Sequence, residues 1–449
     1  MLWTTLTAAG GLFSPTNWAV LVETPELSAA AIVNDPDTEV IVRQYLQDLA
    51  KLGSPSAGQG IWIQTANSLL MNHQGSVPLP AASLTKIATS LAAVEVLGLD
   101  YRFETLIGTT GSVENGIVQG DLVVQGQGDP LFVWEEAIAL GNTLNRMGIR
   151  RVNGDLVIVG AFTMNYESDP MKSGLLLKQG LNSSIWSPEV AYQYSTLPPG
   201  TPRPQVEITG KVRVARSLTL KPGVASTPNA RSAVPIVRHR SLSLRYLIKL
   251  MNIYSNNEMA EALARAVGGS TIVAQRAAQA TGLPPTEIQL QNGSGLGVDN
   301  RISPRAACAL LMALQKRLQE PIFTRTGSLM TVADLFPVAD KDTDGTLIDR
   351  QIPTHAAVKT GTLNTVSALA GVFPTRDRGL VWFAIINRGT DIEGLRVEQD
   401  RLLQTLVQKW GAVAQVPPAI ATYANDNDDY LGNESRNEIL VNFQPTVAQ

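Results

Sequence analysis

Along the first hundred residues the apolar positions Leu84, Ile87, Leu91 and Val94 recur at intervals of three and four, and Gly98 follows them. That spacing predicts a buried helix with a glycine stop, and it places Ser83 at the helix start. Upstream, Gly60-Ile61-Trp62-Ile63-Gln64 is β-branched and aromatic and turns at Ala66-Asn67-Ser68 into Leu69-Leu70-Met71, a predicted hairpin. Helical spacing returns over 243–251, breaks at Ser255-Asn256-Asn257 and resumes over 258–264, so Ser255 and Asn257 fall in a turn between helices. Residues 357–362 and 379–386 read as strands, and an amphipathic helix follows over 397–410.

The texture between these segments differs. Phe103-Glu104-Thr105-Leu106-Ile107, a turn at Glu114-Asn115-Gly116, Asp121-Leu122-Val123-Val124 and Asp155-Leu156-Val157-Ile158-Val159 are short strands with Gly-rich joints. Residues 197–204, rich in proline, form a loop. The pattern predicts an α/β (α+β) chain, a mixed sheet covered by helices, with a β-rich insert. Residues 1–99 and 239–411 form the two parts of the core, 100–238 the inserted domain, and 412–449 a polar, mobile tail rich in Asn and Asp around 425–429.

Composition narrows the function classes. Of 449 residues, 44% are hydrophobic and 17% charged, and 36 Lys and Arg against 39 Asp and Glu leave a net charge of -3. Nothing there favours nucleic acid or an anionic membrane surface as partner. The single cysteine, Cys308, lies in an apolar helical stretch and reads as a small buried thiol. With His73, His239 and His355 unpaired at helical spacing, neither a metal nor another cofactor is expected. No apolar run is long enough for a transmembrane anchor, and Met1 to Ala9 lacks the basic start of a secretory signal.

The chemistry-bearing pattern is Ser83-Leu84-Thr85-Lys86, where one helical turn puts hydroxyl and amine on the same face. A serine hydroxyl is a weak nucleophile until a neighbour takes its proton, and lysine does this when burial or a second cation lowers its pKa. Lys359 is the candidate second cation. Alone, Ser83 and Lys86 read equally as a capping serine with a solvated lysine, Ser255-Asn256-Asn257 as a capping turn, and Lys359-Thr360-Gly361 as a strand end. In this order, each in its predicted setting, the three correspond to the Ser-x-x-Lys, Ser-Asp-Asn and Lys-Thr-Gly signature of penicillin-binding proteins and class A β-lactamases, with Asn256 at the Asp position.

Around these motifs the sequence resembles the low-molecular-mass penicillin-binding proteins of the DacB type, the D-alanyl-D-alanine carboxypeptidases and endopeptidases of peptidase family S13. The likeness runs through Pro80-Ala81-Ala82-Ser83-Leu84-Thr85-Lys86, Tyr101-Arg102-Phe103-Glu104-Thr105, Gly126-Gln127-Gly128-Asp129-Pro130-Leu131, Asn252-Ile253-Tyr254-Ser255-Asn256-Asn257-Glu258-Met259-Ala260-Glu261 and Val358-Lys359-Thr360-Gly361-Thr362-Leu363. It covers roughly 58 to 165 and 239 to 410.

The resemblance implies a transpeptidase-like core and acyl transfer from peptidoglycan stem peptides, with covalent inhibition by β-lactams. It makes Ser83 the nucleophile, Lys86 its general base, Ser255 the proton relay to the leaving amine and Asn257 a hydrogen-bonding partner of the substrate amide. Lys359 and Thr360 would meet the terminal carboxylate, Gly361 would belong to the same substrate-binding strand, and the N–H groups of Ser83 and Thr362 would hold the oxyanion. It also implies a periplasmic or cell-envelope location. A β-lactamase-like hydrolase or esterase, and a non-catalytic peptidoglycan-binding module on the same fold, stay open as alternatives.

Two features depart from the family pattern. Where the family has Asp-Gly-Ser-Gly-Leu-Ser-Arg this chain reads Asn292-Gly293-Ser294-Gly295-Leu296-Gly297-Val298, without the basic residue expected near the substrate side chain; Arg301 is a candidate substitute. Residues 166–235 are shorter than the family's insert, and no site residue is carried over there.

Overall fold

The computed structural model describes residues 31–32, 35–216, 218–220, 232–320, 330–423 and 430–441. The Met1 to Ala9 stretch, which lacks the basic start of a secretory signal, and the Asn- and Asp-rich 425–429 run lie outside them.

Among the described residues, one sheet of six strands runs in the order Ala31–Ile32, Ser68–His73, Gly60–Gln64, Gly379–Arg388, Val366–Thr375 and Ala357–Leu363. Side chains alternate across it with the period of two that a pleated strand imposes. Val366, Ala368, Ala370, Val372, Trp382, Ala384 and Ile386 enter one core, while Leu369, Phe373, Val381, Phe383 and Ile385 enter the core on the other face. Helices Pro36–Lys51 and Ile392–Trp410 cover the second face. The first is covered by Thr85–Leu97, Leu244–Ile253, Ser270–Thr281 and Pro304–Leu318, the last carrying the buried Cys308. Helix Thr85–Leu97 is buried on every side from Thr85 to Val94, and Gly98, at φ 82°, ends it where the sequence placed the stop.

The second body has its own apolar cluster, built from Ile107, Val124, Ile138, Leu156, Ile158, Leu177 and Val237 among others. Its sheet contains Val212–Ala215, Leu156–Ala161 and Leu122–Gln127 in parallel, with Glu104–Thr109 antiparallel between Leu122–Gln127 and Ser232–Arg240. The strand texture of the sequence is present, and between the strands lie helices Trp134–Arg146, Pro170–Gly180 and Pro188–Ser195. Parallel neighbours require such crossovers, because a tight turn joins only antiparallel strands. The sequence reading placed no helices here. In Trp134–Arg146 every residue from Trp134 to Leu144 is buried, including the polar Glu135, Glu136, Asn142 and Thr143, so burial there does not follow residue type.

The chain enters and leaves this body side by side. The N–H of Ser241 donates to the carbonyl of Phe103 over 2.9 Å, and Ser241 Oγ accepts from the N–H of Phe103 over 2.9 Å. Phe103 and Ser241 thus lie together at the base of the second body.

The expectation of a mobile tail over 412–449 is corrected for its described part. Thr331 Oγ1 donates to the carbonyl of Ala421, and Asn437–Ile439 pairs antiparallel with Ser232–Arg240. Arg436 inserts its guanidinium beside the buried Glu136 carboxylate at 2.5 Å. Among the described tail residues, Asn433 caps a short 3-10 turn and Glu434 and Arg436 form ion pairs with Arg146 and Glu136.

Candidate active site

Ser83 is placed by two opposing constraints. Strand Leu79–Pro80 pairs with Arg301–Ile302, and the N–H of Ala81 donates to the carbonyl of Asn300 over 2.8 Å. A short 3-10 turn, Ala82–Leu84, then feeds helix Thr85–Leu97. Ala82 at its start has φ 47°, a left-handed backbone that a residue with a Cβ rarely adopts and that surrounding structure must enforce. Ser83 is half-buried at the cleft floor, and Lys86 one turn on is fully buried.

Lys86 Nζ donates to Ser83 Oγ at 2.8 Å, to Asn257 Oδ1 at 2.8 Å and to the carbonyl of Ser294 at 2.9 Å. Burial pushes its pKa down to about 7, with Glu261 and Glu258 pulling the other way. A neutral amine has two hydrogens and one lone pair. Asn257 Oδ1 and the Ser294 carbonyl only accept, so they take the two hydrogens and leave the lone pair directed at the Ser83 hydroxyl.

Ser255 follows helix Leu244–Ile253 with φ 52°, and Asn256 caps the next helix, Asn257–Ala266, by accepting from the N–H of Met259 over 2.9 Å. Asn257 thus stands on the first turn, facing Lys86. Lys359, on strand Ala357–Leu363, is fully buried and donates to Ser255 Oγ at 3.0 Å and to the carbonyl of Thr360 at 2.8 Å. Burial first, and the like charge of Lys86 second, hold its pKa well below the ordinary lysine range.

On the same strand Thr360 is buried and Thr362 exposed. A Cβ at Gly361 would sit 3.0 Å from the carbonyl oxygen of Ala81 and 3.1 Å from the N–H nitrogen of Ser83. Glycine there lets the strand edge lie against the nucleophile turn. The structure thus gathers Ser83, Lys86, Ser255, Asn257, Lys359, Thr360, Gly361 and Thr362 around one cleft.

The three histidines are engaged elsewhere: His73 with Ser56 at 3.1 Å, His239 with Asn437 at 2.8 Å, and His355 with Asp340 at 2.9 Å.

The resemblance placed the 292–298 stretch near the substrate side chain, but sequence reasoning missed that the Ser294 carbonyl binds Lys86. Motifs are patterns of side chains, whereas Ser294 contributes a backbone carbonyl. Asn300 Oδ1 accepts from the N–H groups of Gln291 and Asn292 at 2.9 and 3.1 Å, and Asn292 Oδ1 from that of Gly295 at 2.8 Å. Gly295, at φ 84°, passes so close beneath Ala82 that a Cβ would overlap its carbonyl. The density of Asn, Gly and Ser over 292–295 signals a tight turn but not its target. Thr362 also has a neighbour that no motif announced: Arg396 Nη2 donates to its Oγ1 at 3.0 Å.

Comparison with known proteins shows what the chain as a whole is similar to. Among curated relatives, the D-alanyl-D-alanine carboxypeptidase DacB of Haemophilus influenzae is 23% identical over 397 residues, covering 70% of this chain and 81% of the relative. The carboxypeptidase DacB of Mycolicibacterium smegmatis is 25% identical over 402 residues, covering 82% and 80%. Among solved structures, Bd3459, a predatory peptidoglycan endopeptidase from Bdellovibrio bacteriovorus, superposes with a TM-score of 0.66 at 21% identity, over 84% of this chain and 97% of that one. Penicillin binding protein 4 (dacB) of H. influenzae gives 0.59 at 19% identity, over 83% and 99%. These two share the fold, a transpeptidase-like core with helices on a mixed sheet. The profile of the D-Ala-D-Ala carboxypeptidase 3 (S13) family matches residues 40–171 and 213–409, leaving out much of the 166–235 stretch that departs from the family pattern. Since that match takes in well over half of the sequence, the chain belongs to the D-Ala-D-Ala carboxypeptidase 3 (S13) family.

Proposed function

We propose that Ser83 is the acylated nucleophile of a serine-type D-Ala-D-Ala carboxypeptidase and endopeptidase that acts on peptidoglycan stem peptides and is covalently inhibited by β-lactams. The observation that carries this reading is the Lys86 amine, buried, 2.8 Å from Ser83 Oγ and bound on its other side by two acceptor-only oxygens.

In the forward step Ser83 Oγ attacks the carbonyl carbon between the two D-alanines while its proton passes to the Lys86 lone pair. The C–N bond breaks as the tetrahedral intermediate collapses, and Ser255, held by Lys359, relays the proton taken up by Lys86 to the departing D-alanine amine, so that Lys86 ends the step neutral and Ser255 as a hydroxyl. The N–H groups of Ser83 and Thr362 stabilise the oxyanion, a contribution of roughly 3–4 kcal/mol per donor in other acyl-transfer sites. Asn257 turns Oδ1 to Lys86, which leaves its Nδ2 for the substrate amide. Lys359 and Thr360 provide positive charge and a hydroxyl for the terminal carboxylate. Water then releases the acyl group.

The pKa of about 7 suits a base near neutrality, where correct protonation and driving force are best balanced. The polymer on which such an enzyme works locates it in the periplasm or cell envelope. Among the described residues no helix is long and apolar enough to cross a membrane.

The test is labelling with a fluorescent penicillin, mapping of the modified peptide, and measurement of D-alanine released from an acyl-D-Ala-D-Ala peptide. Wild type should be labelled on Ser83 and release D-alanine, and Ser83→Ala should do neither. Undiminished labelling of Ser83→Ala refutes the assignment. Fast penicillin turnover without D-alanine release identifies a β-lactamase instead.

A further inference from the structure

Lys86 owes the direction of its lone pair to a backbone carbonyl, so what holds that carbonyl matters. The Gly293–Ser294 peptide is gripped from both flanking helices. From helix Thr85–Leu97, Thr89 Oγ1 donates to the carbonyl of Gly293 at 2.7 Å, and Lys86 donates to that of Ser294 at 2.9 Å. From helix Asn257–Ala266, the carboxylate of Glu261 accepts from the N–H of Gly293 at 3.2 Å through Oε2 and from the N–H of Ser294 at 2.9 Å through Oε1. A Cβ at Gly293 would meet Ala264 Cβ at 2.4 Å and the carbonyl of Ala260 at 2.7 Å, so the loop lies flat on that helix. Glu261 stands four residues after Asn257, hence on the same helix face. One face thus supplies Lys86 with the Asn257 oxygen directly and with the Ser294 oxygen through Glu261.

We propose that Glu261 is a positioning residue for acylation, orienting the Ser294 carbonyl so that the Lys86 lone pair faces Ser83. This deepens the proposed function and rests on its reading of Lys86 as base. A carboxylate is suited to the task because both oxygens accept: a bidentate grip on two consecutive N–H groups fixes the plane of the loop, and charge-assisted bonds are about twice as strong as neutral ones. Its negative charge also acts on Lys86. The charged groups facing Lys86 are Lys359 from the strand and Glu258 and Glu261 from helix Asn257–Ala266. Glu95, on the helix of Lys86, is engaged at the far end with Arg317 and Arg276.

The experiment is the pH profile of second-order acylation by a penicillin, measured for wild type and Glu261→Gln. Removing the anion lowers the Lys86 pKa, so the rising acid limb should move to lower pH, while loss of one acceptor should cut the plateau rate about tenfold, a fraction of the ~10²–10⁴ that a general base contributes. A residue that merely kept water out would behave oppositely: solvent entering on its loss would return Lys86 toward ordinary lysine behaviour and move the limb upward. An upward or absent shift, or an unchanged plateau, overturns the proposal.

Glu258→Gln is the charge control, because Glu258 is exposed and shares the electrostatic pull. It should shift the limb without the plateau loss; an equal loss there would overturn the positioning role. Should Glu261→Gln fail to fold, Glu261→Asp retains the charge but not the reach, and it should lower the plateau with the limb in place. An undiminished plateau in Glu261→Asp overturns the proposal equally. Lys86→Ala separates the two levels: a near-normal rate in that variant removes the base assignment itself, whereas a dead Lys86→Ala beside an unshifted Glu261→Gln removes only the present inference.

Discussion

Lys359 donates to Ser255 Oγ at 3.0 Å although the two lie 104 positions apart, one on a sheet strand and the other in a turn between helices. The contact ties the sheet to the all-helical side of the cleft. Lys86, whose Nζ reaches Asn257 on the neighbouring helix, makes the second tie. Each motif occupies a different wall, and two buried lysines hold the walls at hydrogen-bond distance.

Lys86→Ala should retain the fold and lose acylation by ~10²–10⁴-fold. In wild type the acylation rate should rise with pH through about 7, because the base works deprotonated and burial has pushed its pKa down to that value. Stopped-flow acylation between pH 5 and 9 checks both. A rate that is flat through 7 would place the base elsewhere.

Gly361→Ala should cost activity more than stability. The added Cβ meets the Ala81 carbonyl at 3.0 Å and the Ser83 nitrogen at 3.1 Å, so the strand edge must retreat by a few tenths of an ångström. Displacements approaching 1 Å cost about 10²-fold in precisely oriented sites. Acylation should fall by about tenfold or more with little change in the thermal midpoint.

Arg436→Ala should destabilise the protein by about 3–5 kcal/mol, because it leaves the Glu136 carboxylate buried without its cation. Thermal unfolding with penicillin labelling as a second readout checks this. A free tail would show no effect.

Residues 104–240 should be dispensable for acylation. We propose that they form an inserted domain, since Phe103 and Ser241 exchange two hydrogen bonds at its base and its apolar cluster is separate. A chain ending at 423, with Phe103 bridged to Ser241 through a short Gly/Ser link, should still react with penicillin but act poorly on large peptidoglycan fragments. Leu131 and Val133 pack into the core cluster, so some loss of stability should accompany the excision. Failure of the excised chain to fold would make the second body part of the core.

The sequence by itself determined the helix of Ser83, its glycine stop, the turn at Ser255, the strand of Lys359 and the buried Cys308. These are features of local periodicity, and tertiary packing agrees with local preference at each. It also carried the ordered motifs, because Ser83 with Lys86, and Ser255 with Asn257, are close along the chain. What only the tertiary structure decided lies elsewhere. Helix Trp134–Arg146 is buried on all sides up to Leu144, and helices Pro170–Gly180 and Pro188–Ser195 bury only a few positions each, so none presents a broad apolar stripe against a polar face. The strap through Arg436 is polar because it pairs with buried charges rather than with water. The third oxygen on Lys86 is a backbone carbonyl, a group every residue has, so only folding could select Ser294. Glu261 lies four residues from Asn257 in the stretch that resembles the family, but its partners are two N–H groups more than thirty positions away, and no spacing rule reaches that far.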